Sequence, residues 1–318
     1  MATAAESNAP LRAPATSPRT FVIGVVILTA LLIIAPFLDI YPVFIMKALC
    51  FGLFACAFNL LLGFGGLLSF GHAMFLGTAG YISAHAAKEW GLPPELAILA
   101  GTVAAAILGA IVGILAIRRQ GIYFAMITLA LAQMIYFFCL QAPFTHGEDG
   151  IQAVPRGRMF GVLDLSNTLV MYYVVLVIFL IGFCLIFRIV HSPFGQVLKA
   201  IRENEPRALS LGYDADRYKF ASFVMSATLA GLAGATKAIV FQLASLTDVT
   251  WQMSGEVVLM TLVGGMGSIL GSILTGFGLG VIEGLTKVFY PEASNTVIFI
   301  IMTIVLMLRP QGLFGTPK

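Results

Sequence analysis

Apolar runs of about the length of a membrane span recur along almost the whole chain. A spanning helix needs roughly 20 mainly apolar residues, and such runs occupy 21–38, 43–62, 70–87, 95–117, 121–140, 168–189, 219–241, 269–287 and 294–308. A shorter apolar piece, Gly255 to Val263, ends in a glycine cluster and is either a half-span or part of a broken one. The pattern predicts an all-α, polytopic membrane bundle of about ten transmembrane helices (nine to ten).

The overall composition leads to the same class of protein. The 318 residues are 59% hydrophobic and only 10% charged, with a mean hydropathy of +0.97. A soluble domain carries about 25% charged residues, so this chain has too little polar surface to cover a water-soluble core. The formal net charge of +3 is small and dispersed, which gives nucleic-acid binding no electrostatic support.

The distribution of basic residues predicts how the chain lies in the membrane. Residues 1–20 are rich in Ala, Ser, Thr and Pro and read as a disordered cytoplasmic tail before the membrane domain, 21–318. With this tail and the C-terminus inside, 12 of the 18 basic residues fall on inner segments, as the positive-inside rule requires: Arg12, Arg19, Arg118, Arg119, Arg188, Lys199, Arg202, Arg207, Arg217, Lys219, Arg309 and Lys318. Arg156 and Arg158, in the inferred outer loop, count against this orientation.

One inner loop, residues 192–218, is the longest polar stretch between two spans. Val197–Asn204 has helical character, Pro206 suits the first turn of a second short helix, and Gly212 suits its end. Two interpretations stay open at this point. The loop either is a solvated linker or forms short cytoplasmic helices that dock on a partner protein.

Motifs for catalysis, nucleotide binding and metal binding are missing from the sequence. There is no G-x-x-x-x-G-K-[ST], no H-E-x-x-H, no G-x-S-x-G and no metal-ligand spacing. The four cysteines lie inside apolar runs and read as small hydrophobic residues: Cys50, Cys56, Cys139 and Cys184. We therefore expect no enzyme activity and no cofactor or metal bound by this chain.

Polar residues inside the spans are the usual pointers to a translocation path, because burying them in lipid is costly. The candidates here are Asn59, Ser69, His72, Gln133 and Glu256. Four also have a structural interpretation: His72 would bond a carbonyl freed by a helix break, Glu256 would cap a short helix, and Asn59 and Gln133 would bond across helices. Three lysines near predicted outer helix ends are expected to snorkel to the surface: Lys47, Lys237 and Lys287.

Glycines are frequent inside the spans, and several repeat at a spacing of four. The run Gly276–Gly280–Gly284 lies on one helical face and predicts close helix packing in lipid. Two glycine-rich passages, 63–80 and 264–284, occupy roughly corresponding places in the two halves of the chain. This suggests a five-plus-five inverted repeat, as in transporters with interrupted helices near the substrate path.

Four segments carry a family resemblance. LLGFGGLLSFGHAMFLGTAGYISA (61–84) and PFGQVLKAIRENEPRALSLGYDADRYKFASF (193–223) resemble motifs of the LivM-type permeases of branched-chain amino acid ABC importers. GIYFAMITLALAQM (121–134) and GEVVLMTLVGGMGSILGSILTGFGLGVIE (255–283) are similar to further segments of that family. The resemblance covers nearly the whole chain from about residue 40.

The resemblance implies a permease subunit that works with a second related permease, two cytoplasmic ATPase subunits that bind ATP, and an external substrate-binding protein. It makes the 192–218 loop the ATPase-coupling loop, with Arg202, Glu203, Asn204, Arg207 and Gly212 in or beside the coupling helix. Where many importers have an EAA sequence followed by glycine, this chain has Pro206, Arg207 and Ala208, and it keeps Gly212.

The implied location is the bacterial inner membrane, with several spans in contact with lipid. Related importers carry urea, short-chain amides or other small organic acids, so these substrates stay open beside branched-chain amino acids. An ion-coupled secondary carrier is the chief rival from another class, and a channel or membrane scaffold is a second one. The scarcity of charged residues in the spans speaks against ion coupling.

Overall fold

A computed structural model describes residues 28–37, 41–119, 121–289, 294–309 and 311–314. The predicted tail, 1–20, and most of the predicted first span lie outside these residues. The helices are α1 (Leu28–Phe37), α2 (Pro42–Asn59), α3 (His72–Lys88), α4 (Pro94–Ala116), α5 (Ile122–Gln141), α6 (Thr168–His191), α7 (Pro193–Glu203), α8 (Glu205–Ser210), α9 (Ala215–Phe241), α10 (Trp251–Gly264), α11 (Ile269–Phe289) and α12 (Ser294–Leu308). The described strands are β1 (Ile151–Gln152), β2 (Arg158–Met159), β3 (Leu163–Asp164) and β4 (Leu243–Ala244).

The predicted all-α membrane bundle is confirmed. Five helical segments are long and apolar enough to cross a bilayer: Pro42–Phe64, Pro94–Ala116, Ile122–Gln141, Thr168–His191 and Ala215–Phe241. The helices α1, α3, α10, α11 and α12 overlap the other predicted apolar segments, which makes ten such helices in the described part of the chain. The short strands lie in loops, where β1 pairs with β4 and β2 with β3.

The two ends of the bundle carry different structures. One end, the connector end, holds α7 and α8, which join α6 to α9; residues 192–214 are called the connector below. At the opposite end, Lys88 Nζ donates to the Gln152 carbonyl at 2.9 Å, and Arg156 donates to the Val240 carbonyl at 2.7 Å. These bonds tie the 142–167 loop to the ends of α3 and α9.

Helix α2 is the centre of the bundle. It is apolar on all sides, and 94% of its most apolar stretch is buried, which is the usual fate of a helix without a polar face. By contrast, α4 and α5 are only 33% and 28% buried, and their exposed residues are mostly aliphatic or aromatic. Those two helices therefore present apolar surface to lipid or to another membrane subunit.

Glycines bring α11 into direct backbone contact with α2, as the predicted glycine face requires. A Cβ on Gly276 would lie 2.8 Å from Gly52 Cα, and one on Gly280 would lie 3.1 Å from Ala48 Cα. Such close approach is how helices gain packing energy in lipid, where no hydrophobic force drives them together. The packing around Gly284, the third glycine of the predicted face, lies outside the described part.

The short apolar piece predicted at 255–263 is part of α10, which has only 14 residues. A 3₁₀ turn, Leu246–Val249, and Thr250 precede it in place of a regular helical continuation. The helix is therefore too short to cross a bilayer alone, as the sequence pattern predicts, and both alternatives, a half-span and part of a broken span, stay open. Glu256 lies in the second turn of this helix, so it is not the capping residue that one interpretation of the sequence made it.

We expect Gly276→Leu to destabilise the protein, because the new side chain would meet the α2 backbone. Overpacking of this kind costs about 1–3 kcal/mol. The measurement is thermal unfolding of the purified protein in detergent. Gly278→Leu is the matched control, since nothing lies within 4 Å of a Cβ at that position. Equal melting temperatures for the two variants would contradict this packing.

Candidate functional site

Two helices, α2 and α10, end in irregular turns that lie together at the connector end of the bundle. These two turns are called the breaks below. Helix α2 runs into a π-helical turn, Leu60–Phe64, after which the chain leaves the helix. Helix α10 stops at Gly264, and the following turn passes through Gly265 and Gly267 with φ of +96° and +83°. π-helical turns occur often at functional positions, and backbone polar groups freed inside a membrane protein must find partners within the protein.

Asn59 joins the two breaks through both ends of its amide. Its Nδ2 donates to the Ser268 carbonyl at 3.0 Å, and its Oδ1 accepts from the Gly267 N–H at 3.0 Å. The side chain is 1% exposed, so these bonds are made away from water. Asn59 was a candidate for the translocation path, and the structure shows its amide engaged in joining α2 to the α10–α11 turn.

The contact between the breaks needs glycine on one side. A Cβ on Gly63 would lie 1.9 Å from Asn59 Oδ1 and 2.5 Å from the Gly267 nitrogen. The two glycine-rich passages therefore touch each other at one end of the bundle. An inverted repeat would place equivalent turns at opposite ends, so these passages are not each other's counterparts, and the five-plus-five repeat stays a prediction.

The connector contains the two short helices that its sequence predicts. Ser192 Oγ accepts from the Gly195 N–H at 3.4 Å at the start of α7, and Asn204 Oδ1 accepts from the Arg207 N–H at 3.1 Å at the start of α8. Pro206 lies in the first turn of α8, where its missing N–H costs nothing. Gly212 follows α8 with a φ of +89°, a conformation that favours glycine.

Packing and one ion pair fix the connector on the bundle. Lys219 Nζ and Glu205 Oε1 are 2.6 Å apart, and the rings of Phe194 and Tyr218 stack at 5.3 Å. A small apolar cluster lies beneath the two helices, formed by Ile201, Ala208 and Ala215. The connector is therefore a folded element, which argues against the interpretation as a solvated linker.

The outer side of the connector is exposed and partly apolar. Leu209 is 53% exposed, Leu211 69% and Tyr213 40%, and Glu203 and Arg207 are exposed beside them. These five residues are called the docking face below. Arg202 is exposed as well, but its guanidinium also donates to the Gly63 carbonyl of the bundle.

His72 is part of an internal hydrogen-bond chain. Its Nε2 lies 2.8 Å from Ser226 Oγ, which donates its own proton to the Ala57 carbonyl at 2.5 Å. Since that proton is committed, Nε2 carries the hydrogen of this bond. Aromatic rings surround it edge-on, from Phe58, Phe75 and Phe223. The histidine thus reaches a helix carbonyl through Ser226, close to the structural role proposed from the sequence.

The other candidates for a translocation path lie on three different elements: the turn before α3, α5 and α10. Ser69 Oγ accepts from the Gly71 N–H at 3.3 Å inside the turn before α3. Gln133 is half-buried on α5 and makes no hydrogen bond with the described residues. Glu256 is buried in α10. A path through these residues and Asn59 and His72 stays a prediction.

One ionic feature was missed in the sequence. Lys237 Nζ pairs with Asp248 Oδ1, and both side chains are only 14% exposed. The prediction that Lys237 snorkels to the surface is therefore wrong, because a carboxylate across the α9–α10 connection holds it inside. The side chain of Lys287 lies outside the described part, and Lys47 lies over the Phe51 ring at 5.6 Å. The sequence did offer a signal for this pair: Lys237, near the end of α9, and Asp248, before α10, carry opposite charges and are only 11 residues apart.

Comparison with known proteins identifies the family. Residues 42–307 match the family model described as "Branched-chain amino acid transport system / permease component". The chain belongs to this family. It is 29% identical over 280 residues to the high-affinity branched-chain amino acid transport system permease protein LivM of Escherichia coli, covering 80% of this chain and 65% of LivM.

More distant relatives agree with the family match. The probable branched-chain amino acid transport permease protein LivH of Methanocaldococcus jannaschii is 23% identical over 269 residues, covering 78% of this chain and 82% of LivH. Among solved structures, PsaBC from Streptococcus pneumoniae in complex with Fab aligns with a TM-score of 0.45 at 16% identity, covering 86% of this chain and 93% of that one. That structural likeness is too distant to support an argument.

We expect Asn59→Ala to destabilise the permease, since the buried Ser268 carbonyl and Gly267 N–H would lose their partner. Each buried polar group left unsatisfied costs about 1–3 kcal/mol. Unfolding in detergent, followed by fluorescence, measures the loss. Gln133→Ala is the matched amide control and should change the melting temperature little. A loss in Gln133→Ala as large as that in Asn59→Ala would refute the role of Asn59.

Proposed function

We propose that this chain is the transmembrane permease subunit of an ABC importer for branched-chain or similar small hydrophobic amino acids. Family membership and the printed activities of the LivM and LivH relatives support this proposal. The remaining parts of the importer are a second related permease, two cytoplasmic ATPase subunits that bind and hydrolyse ATP, and an external binding protein that selects the substrate.

The observation that carries the proposal is the docking face on a folded connector. Two capped helices hold Leu209, Leu211 and Tyr213 at the surface, although a free protein gains nothing by exposing them to water. Apolar side chains grouped in this way and rimmed by charges mark protein–protein contact sites. The connector itself is rich in Lys and Arg, and such residues favour the cytoplasmic side of a membrane. We therefore place the docking face, and both chain termini, on the cytoplasmic side.

The mechanism that follows is alternating access. Closing of the two ATPases around ATP would pull on the connectors and open the pathway outward, toward the loaded binding protein. Release after hydrolysis would return the pathway to the inside. ATP can drive this exchange only because the closed ATPases bind one conformation of the permease better than the other.

The double variant Leu209→Asp, Leu211→Asp should lose the ATPase subunits during co-purification. The interface residues that matter for binding cost more than about 1 kcal/mol each when changed, so two such changes should lower retention of the ATPase at least about tenfold. Glu203→Ala and Arg207→Ala should weaken retention less, since rim charges mainly affect association rates.

Val162→Asp is the matched control at the opposite end of the bundle, where Val162 is 84% exposed. It should leave ATPase retention unchanged. Full retention in the Leu209, Leu211 double variant would overturn the docking assignment. Concentrative uptake by the purified chain alone, driven by a proton or sodium gradient, would favour a secondary carrier over the ABC importer.

A further inference from the structure

Arg202 links the connector to the broken end of α2. Its Nη1 donates a hydrogen bond to the Gly63 carbonyl, in the π-helical turn. The N–H groups that follow this turn donate to the carbonyls of Leu61 and Leu62, and none of them donates to the Gly63 carbonyl. The helix break therefore leaves one backbone acceptor for a side chain, and the end of α7 supplies the donor.

The same arginine lies against both glycine turns. A Cβ on Gly66 would lie 2.9 Å from Arg202 Cγ, and a Cβ on Gly267 would lie 3.7 Å from Arg202 Nη1. The φ angles of these glycines are +70° and +83°, which other residues adopt only with strain. One side chain of the connector thus contacts the α2–α3 turn and lies close to the α10–α11 turn.

Other polar contacts of the connector are more local. The Lys219–Glu205 pair holds α8 to α9, next to it in the chain. Lys199 lies over the Phe64 ring at 5.4 Å, which is contact with the α2 break alone. The Arg202 side chain makes its hydrogen bond to the α2 break and lies close to the α10–α11 turn as well.

Asn59 completes the connection from inside the bundle. It bonds the α10–α11 turn to the end of α2, so the two glycine turns are already tied together where Arg202 meets them. A displacement of α7 would therefore act on both turns in the same direction. Packed elements joined in this way are the physical means by which a movement at one site reaches another.

We propose that Arg202 is a positioning residue that carries movement of the connector into the broken helices α2 and α10, and that it does so without touching the ATPase. This inference rests on the proposed function. It differs from the sequence-based hypothesis, which placed Arg202 in the ATPase contact with Glu203 and Arg207. An arginine suits this task because its planar group offers five donors in a fixed arrangement, which a lysine ammonium lacks.

The test uses the complete importer, with both permeases, both ATPases and the binding protein, reconstituted in liposomes. In Arg202→Gln the ATPases should stay bound and hydrolyse ATP, but leucine uptake per ATP hydrolysed should fall at least about fivefold. Arg202→Lys should give an intermediate ratio. Arg217→Ala is the matched control, since that side chain is 87% exposed and pairs with Asp214 within the same segment; its ratio should equal that of the unaltered protein.

An unchanged uptake ratio in Arg202→Gln would overturn the inference. Loss of the ATPases from Arg202→Gln alone would also overturn it, by making Arg202 a docking residue. If the ATPases do not bind the unaltered permease pair, the proposed function fails instead, so the two failures are distinguishable.

A distance measurement keeps the inference testable if Arg202→Gln does not fold. Spin labels at Ser210→Cys and Met266→Cys report on the connector and the α10–α11 turn, with Cys184→Ala removing the exposed native thiol. With Arg202 present, the label distance should be the same with and without bound ATP, because the two elements move together. With Arg202→Lys it should differ between the two states. A distance that already changes with Arg202 present would overturn the inference.

Discussion

The hydrogen bonds of Asn59 are the interaction on which this structure depends. A membrane protein can interrupt a helix only where the freed backbone groups find partners inside the protein. Here α2, which belongs to the most buried of the five long apolar segments, and α10, a 14-residue helix, both end in irregular turns at the same end of the bundle. One buried amide satisfies a carbonyl and an N–H of the turn after α10, and this allows two glycine turns to lie in contact under the connector.

The connector is built on this contact and not merely attached to the neighbouring helices. Its inner side is fixed by an ion pair, a ring stack and the bond from Arg202, while its outer side exposes Leu209 and Leu211. An element that is fixed to the bundle on one side and partly apolar on its exposed side can receive a movement from a partner and pass it on. In this account the exposed side of the connector binds the partner, and the side that faces the bundle passes the movement on.

The sequence predicts those features that depend on local composition. The apolar run at 294–308 gives the bounds of α12, and Pro206 and Gly212 lie within two residues of the ends of the second connector helix, because these effects act within a few residues. It does not predict which polar groups meet. Arg202 finds a carbonyl 139 residues away in the chain, and Lys237 finds Asp248 instead of the surface. Such pairs depend on how helices are arranged, and their separate spacings carry no record of it.

The central claim is that the connector faces the cytosol, and side-specific thiol labelling tests it most directly. A permease with Ser210→Cys and Cys184→Ala is treated with a membrane-impermeant maleimide, in intact cells and in inverted membrane vesicles, beside a second protein that carries Val162→Cys. The account predicts that the cysteine at position 210 reacts only in inverted vesicles. The cysteine at position 162 should react only in intact cells. Labelling of position 210 from outside the cell would contradict it.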